Sequence, residues 1–201
     1  MNFFDYFLFF TLIAVIATLV IRITTLAARQ GFVPVVFGNE KTPLRRIVNL
    51  LIFPAVLYWL FELVNTSLRL SVRLLPEFMY TVLFDHIGFD IAGCVLIAAG
   101  FVLFVLASVE LGVSWRIGID TRSPGGLVTS GVFSFSRNPI YLFFFSLAAG
   151  TFLIAGNPFF LAWIFLFVPV VHSQVLAEEK FLESRFGDEY RAYRKRVRRY
   201  L

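Results

Sequence analysis

One cysteine, Cys94, and two histidines far apart in sequence, His86 and His172, are all this chain holds of the side chains that build thiolate and imidazole centres. An internal disulfide is excluded, and no ligand-spaced cluster is there to take a metal. Charge is scarce too: Asp, Glu, Lys and Arg make up 15% of the 201 residues, against roughly 25% in soluble domains. Acids are fewer than bases, 13 against 18, for a formal net charge of +5. A basic chain can serve nucleic acid, but basic loops between apolar runs follow from a positive-inside bias, so no nucleic-acid partner is expected. No internal repeat is evident.

What fills the chain is apolar. Hydrophobic residues make up 59%, with 26 phenylalanines, and the mean hydropathy is +0.81. Several runs reach the roughly 20 apolar residues that cross a bilayer. The expectation is an all-α, polytopic integral membrane protein with about five transmembrane helices, over residues 3–28, 47–66, 87–111, 139–155 and 158–177. The first run lacks a basic start and a small-residue cleavage site, so it reads as a retained span rather than a signal peptide. Arg22, near its inner end, can snorkel. The loop 29–46 holds Gly31, Pro34, Gly38 and Pro43, which argue against regular structure. In the second span Pro54 suits a kink, and Glu62 is a carboxylate that is costly there unless paired or near water. Residues 67–86 set Arg69, Arg73, Pro76 and Glu77 among apolar side chains, which suits an interfacial helix and a turn. Gly93 and Gly100 share one face of the third span and suit close packing on a neighbour.

Gly156-Asn157-Pro158 makes a tight reversal, so the last two spans form an antiparallel C-terminal hairpin. Residues before Pro139 and after Ala177 then emerge on the same side, bringing Arg137-Asn138 close to Glu178-Glu179. With the N-terminus outside, fifteen of the eighteen Lys and Arg fall inside, two outside and Arg22 within a span. That bias places the C-terminus in the cytoplasm. The cytoplasmic tail, 178–201, is amphipathic: Leu182, Phe186, Tyr190, Tyr193, Val197 and Leu201 form one stripe. Gly187 is expected to break it, Asp188 to cap a second short helix, and the five basic residues within 194–199 to meet an anionic membrane surface.

Two polar places interrupt the grease. Residues 127–141 carry Leu127-Val128-Thr129-Ser130-Gly131-Val132, then Phe133, then Arg137-Asn138-Pro139-Ile140-Tyr141. Asn138 before a proline is pushed out of the α region, and Pro139 suits a first helical turn. A loop therefore enters a membrane helix, leaving free N–H groups and the positive end of the dipole. Such an end suits a ligand carboxylate; an ordinary loop with one positive-inside arginine has the same composition. The second place is Glu178-Glu179, at the end of a membrane helix whose dipole opposes them. They are either an interfacial pair bridged to Arg137 or carboxylates that bind hydroxyls or a cationic group of a ligand.

Residues 127–141 and 178–197 together resemble the isoprenylcysteine carboxyl methyltransferase and phospholipid methyltransferase family of membrane enzymes. The resemblance rests on Leu-Val-Thr-Ser-Gly-Val, an aromatic, and Arg-Asn-Pro-x-Tyr, followed after the hairpin by Glu178-Glu179, Leu182, Phe186-Gly187, Tyr190 and Tyr193. It covers about the last ninety residues. It implies a methyltransferase using S-adenosylmethionine, releasing S-adenosylhomocysteine, without a Rossmann domain. Carried over residue by residue, Gly125, Gly126, Leu127 and Val128 lie along the cofactor and Phe133 beside it. Arg137, Asn138, Pro139, Ile140 and Tyr141 line its pocket, and Glu178 and Glu179 face it. On this reading residues 87–201 are the catalytic region, with the cofactor loop 112–138, and residues 1–86 an N-terminal membrane region.

The eukaryotic isoprenylcysteine enzymes have His at the positions of Gly125 and Asn138, Tyr at that of Phe133, and Arg at that of Gln174. Gln174 cannot form a charged fork with a substrate carboxylate; Arg116, Arg122 or His172 are the candidates to replace it. The expected function is methyl transfer to a lipid-soluble or lipidated acceptor, a carboxylate, thiol or amine, drawn from the membrane. The alternative is a non-catalytic membrane protein that keeps the fold for lipid binding or scaffolding.

Overall fold

The computed structural model describes residues 3–31, 43–115 and 125–201. Five α-helices carry the described residues: α1 (Phe3–Gln30), α2 (Pro43–Ser67), α3 (Ile87–Leu111), α4 (Pro139–Ala155) and α5 (Pro158–Arg196). Four of them, α1, α2, α3 and α5, are long and apolar enough to cross a membrane, and α4 is a shorter apolar helix. At 17 residues α4 rises about 25 Å, enough for most of a hydrocarbon core of about 30 Å. This is an all-helical, polytopic integral membrane protein.

Helices α3 and α4 are the centre of the bundle. A Cβ on Gly93 would lie 2.7 Å from the Gly150 carbonyl oxygen, and one on Gly100 would lie 2.7 Å from the Ser146 Cβ. Only glycine lets the two backbones approach this closely, and such approach drives helix association where lipid removes the hydrophobic incentive. Phe104 and Phe143 stack across the same interface, centroids 5.0 Å apart. Towards the other end of the bundle Trp59 of α2 stacks on Trp163 of α5 at 5.6 Å. Helix α1 lays Leu8, Val15 and Leu26 against its neighbours and leaves Phe10, Ile16 and Ile21 outward, as lipid contact requires. Arg22 does not snorkel to water. Its Nη2 donates to the Gly112 carbonyl at the end of α3 (3.0 Å), and its guanidinium lies over Trp115.

Three local expectations are corrected. Helix α2 begins at Pro43, inside the stretch expected to be irregular, because proline's fixed φ suits a first turn as well as a loop. Residues 67–86 hold no interfacial α-helix. Arg69 takes φ 51°, Leu70 N–H returns to the Asn65 carbonyl, and the chain runs extended but for a single 3-10 turn, Glu77–Tyr80. The Tyr80 hydroxyl accepts from the Leu74 and Leu75 N–H groups, donors that an α-helix would have used internally. Asp188 caps nothing; its carboxylate takes the Arg191 guanidinium instead.

The hairpin is built as its residues dictate. Gly156 closes α4 in the left-handed conformation, Asn157 caps α5 by accepting from Phe160 N–H (3.1 Å), and Pro158 follows. From Pro158 to the break at Gly187 α5 is about 43 Å long, well beyond a hydrocarbon core of about 30 Å. Its apolar half ends near Ala177, and a polar, charge-rich half begins at Glu178. At Gly187 (φ 51°) the helix breaks, and Tyr190, Tyr193 and Val197 fold onto Leu127, Leu182 and Phe186. Leu201, assigned to the same stripe, is 76% exposed; the helix has ended and its phase is lost.

Candidate functional site

The site forms where the loop before α4 meets the stretch beyond the apolar half of α5. Pro139 opens α4, and Asn138 holds the cap position with φ −134° but no side-chain cap hydrogen bond. Pro139 has no N–H, and the Tyr141 and Leu142 N–H groups return to the Asn138 carbonyl (3.1 and 3.2 Å), so among the described residues Ile140 N–H alone is left at the positive end of α4. Asn138 instead spends its amide nitrogen on Glu179 Oε1 (3.2 Å) and the Arg199 carbonyl (3.1 Å).

Glu179 is the hub. Arg137 reaches Oε1 through Nη2 (2.8 Å) and Nε (3.2 Å), and Arg199 reaches Oε2 through Nη2 (2.9 Å) and Nε (3.1 Å). Burial alone would raise this carboxyl, but the hydrogen bonds and charges of the two guanidiniums override it and hold it below the ordinary glutamate value. The Glu179 bonds in turn raise Arg199. Arg137 also donates Nη1 to the Arg194 and Val197 carbonyls (3.1 and 2.9 Å). A parallel bridge between Ser136 and Arg198 completes the junction. Both oxygens of Glu179 are thus occupied by protein.

Its neighbour differs. Glu178 Oε2 accepts from the Tyr141 hydroxyl (2.7 Å), while Oε1 takes no donor among the described residues. Burial raises the Glu178 carboxyl, the Tyr141 hydrogen bond opposes the rise, and the Glu179 charge adds to it. Close to this pair, His172 Nδ1 shares a hydrogen with the Tyr200 hydroxyl (2.7 Å), and the Tyr200 ring meets Phe145 edge-on.

The structure brings Arg137, Asn138, Pro139 and Tyr141 together with Glu178 and Glu179. Ile140 is half-buried in the first turn of α4. Phe133 is buried, and its carbonyl accepts from the Tyr193 hydroxyl (2.6 Å). Leu127 packs on the Tyr190–Tyr193 cluster, and Val128 beside it is half-buried. Gly125 takes φ +71°, where a Cβ would collide with Ser114; Ser114 Oγ accepts from Gly126 N–H. Gln174 is half-buried on α5. Arg116 and Arg122 lie outside the described residues. Sequence reasoning missed Glu110, whose Oε2 accepts from Val132 N–H (2.8 Å) and anchors the loop to α3. It also missed Arg199 and Tyr200; inside a run of basic residues nothing in the sequence marks either.

Comparison with known proteins bears on this arrangement. Residues 89–189 match the model of the family described as phospholipid methyltransferase. The chain is 36% identical over 111 residues to the protein-S-isoprenylcysteine O-methyltransferase of Saccharomyces cerevisiae, covering 53% of this chain and 46% of that protein. It is 40% identical over 73 residues to the protein of the same name from Schizosaccharomyces pombe, covering 35% and 30%. An uncharacterized protein of Haemophilus influenzae is 50% identical over 44 residues, 20% of this chain and 70% of its own length. The match thus spans less than half of either yeast relative. No solved structure matches. With half of its residues inside the family model, the chain belongs to the phospholipid methyltransferase family.

Proposed function

We propose that the protein transfers a methyl group from S-adenosylmethionine to a lipid-soluble acceptor at the cytoplasmic face of the membrane, and that residues 87–201 carry this chemistry. The observation that carries the reading is the contrast between the two glutamates: Glu179 is saturated by protein donors, while Glu178 keeps one oxygen open beside an uncapped helix start. The residues fit the cofactor. The Ile140 N–H and the positive end of α4 suit its methionine carboxylate, and Glu178 Oε1 suits ribose hydroxyls or the ammonium. Leu127 and Val128 offer a half-buried wall. The cofactor, when bound, supplies an electrophilic methyl group on a sulfonium.

Direct displacement at carbon asks the protein to align the acceptor and exclude water rather than to supply a nucleophile. Tyr141 holds the Glu178 carboxylate in place. The Arg137–Glu179–Arg199 junction fastens the tail over the loop, so Asn138 and the start of α4 are held in register. An oxygen acceptor is favoured because the yeast relatives are named O-methyltransferases. With Gln174 where a carboxylate-binding arginine stands in that family, recognition of a prenylcysteine-like carboxylate falls to hydrogen bonds from Gln174 and the His172–Tyr200 pair.

Calorimetry of the purified protein with S-adenosylhomocysteine tests the reading, with binding expected and lost on Glu178→Ala. Absence of binding at high micromolar concentration would leave the fold as a lipid-binding or scaffolding unit. Labelled cofactor incubated with a total lipid extract then identifies the acceptor fraction.

A further inference from the structure

At the opposite end of α4 from Asn138, about 25 Å away along the helix, lies a cleft of about 220 Å³ lined by Glu62, Asn65, Arg69, Arg73, Tyr80 and Asn157. Methyl transfer makes no use of it. Its floor is made of acceptors. Glu62, 2% exposed, accepts from the Tyr58 and Tyr80 hydroxyls at Oε1 (2.6 and 2.9 Å) and from Asn65 Nδ2 at Oε2 (3.1 Å). All three donors are neutral, and no described lysine or arginine pairs with this carboxylate. Asn65, 6% exposed, also donates Nδ2 to the Val72 carbonyl (2.7 Å). Two acceptors around Nδ2 fix the amide's orientation, because a flip would set oxygen against oxygen. Its Oδ1 is then buried with no donor. An orphaned acceptor beside an unneutralised buried carboxylate calls for a cation that carries N–H groups.

The rim has the opposite sign. Arg73 lies over the Tyr80 ring and touches only the exposed Glu77, and Arg69 pairs with Asp5. Around the rim Leu70, Leu74, Phe78, Val82 and Leu83 are exposed, as suits a segment lying at the lipid interface. We infer that this cleft binds a phosphodiester bearing a primary ammonium, the headgroup chemistry of phosphatidylethanolamine, with the ammonium on Asn65 Oδ1 and Glu62 and the phosphate on Arg73 and Arg69. A phosphocholine group has no N–H to give Asn65, and a phosphoglycerol group has no cation for Glu62.

The test uses the full chain in detergent and the midpoint of thermal unfolding as lipid is added, alongside retention of each lipid in native mass spectrometry. Phosphatidylethanolamine is expected to be retained about tenfold more strongly than phosphatidylcholine or phosphatidylglycerol, the worth of one charge-assisted hydrogen bond. Arg73→Gln should weaken retention of all three lipids, since each carries the phosphate, while its affinity for S-adenosylhomocysteine stays unchanged, which shows that the variant is folded. Arg69→Gly removes the second cation at a position where glycine relieves a left-handed backbone, which offsets the lost Asp5 pair, and unchanged S-adenosylhomocysteine affinity shows that this variant too is folded. Glycerophosphoethanolamine is the soluble arm: an equal midpoint shift assigns the cleft to a free ester, and a shift confined to the diacyl lipid assigns it to the membrane. Equal retention of the three lipids, or undiminished retention of them in Arg73→Gln, overturns the inference.

Discussion

Replacing Glu179 by glutamine keeps its shape and removes its charge, and the consequence follows from what surrounds it. The Arg137 side chain is only 7% exposed and would be left without a counter-ion. Breaking one partner of a buried pair costs about 3–5 kcal/mol. The Arg194 and Val197 carbonyls still accept from Arg137, which sets the cost near the lower end, about 3 kcal/mol. That corresponds to roughly a hundredfold rise in the population with the tail undocked. Arg199→Gln is the control. Arg199 is 36% exposed and its loss leaves Glu179 with Arg137 and Asn138, so about 1 kcal/mol or less is expected. Hydrogen exchange across residues 188–200, or trypsin cleavage at Arg194–Arg199, reads the difference directly. If the two variants release the tail equally, Glu179 is not the hub and the argument from burial fails. Acid provides a second reading. Because the folded Glu179 carboxyl lies below its ordinary value, its stabilisation is present above the unfolded value and is lost as pH falls through the lower folded one. The tail should therefore stay docked through the ordinary carboxylate range and loosen only in stronger acid.

Tyr141→Phe is expected to weaken S-adenosylhomocysteine binding by up to about tenfold, since Glu178 loses the hydroxyl that orients it; unchanged calorimetric affinity would remove Tyr141 from the site. Gly150→Ala should destabilise the protein by about 1–3 kcal/mol through overpacking, because a Cβ there meets Ile97 and the Gly93 carbonyl; a thermal midpoint equal to the parent's would contradict the close approach of α3 and α4. Gly131→Ala is expected to dislodge the loop from Glu110 at φ +59°, seen as faster exchange of Val132 N–H. A reporter fused after Leu201 should read cytoplasmic, and an external signal would reverse the proposed topology.

The bounds of α3 and α4 were legible because Gly112, Asn138-Pro139 and Gly156 end apolar runs with unambiguous backbone chemistry. The meeting of Arg137-Asn138 with the acidic doublet was legible too, since a two-residue turn leaves a hairpin no other geometry. What separated Glu178 from Glu179 was not: adjacent residues on a helix point about 100° apart, and only the fold shows which one meets the arginines. The 67–86 segment misled because its composition is that of an amphipathic helix, whereas a tyrosine hydroxyl reaching back to the backbone has no periodic signature. Arg199 was hidden by its company, as four further basic residues nearby make equal claims on any acidic partner.

The junction at Glu179 ties together groups 42 and 20 positions apart in the chain, and it has a consequence for biogenesis. Helices threaded into a bilayer one after another commit to an orientation before the tail exists. Only if the last helix has been delivered the right way round does Arg137 find its acid, because Glu179 and Arg199 travel together on the tail; delivered upside down, Arg137 loses its counter-ion. The Arg137–Glu179 pair that holds the tail would thus act as a checkpoint on insertion.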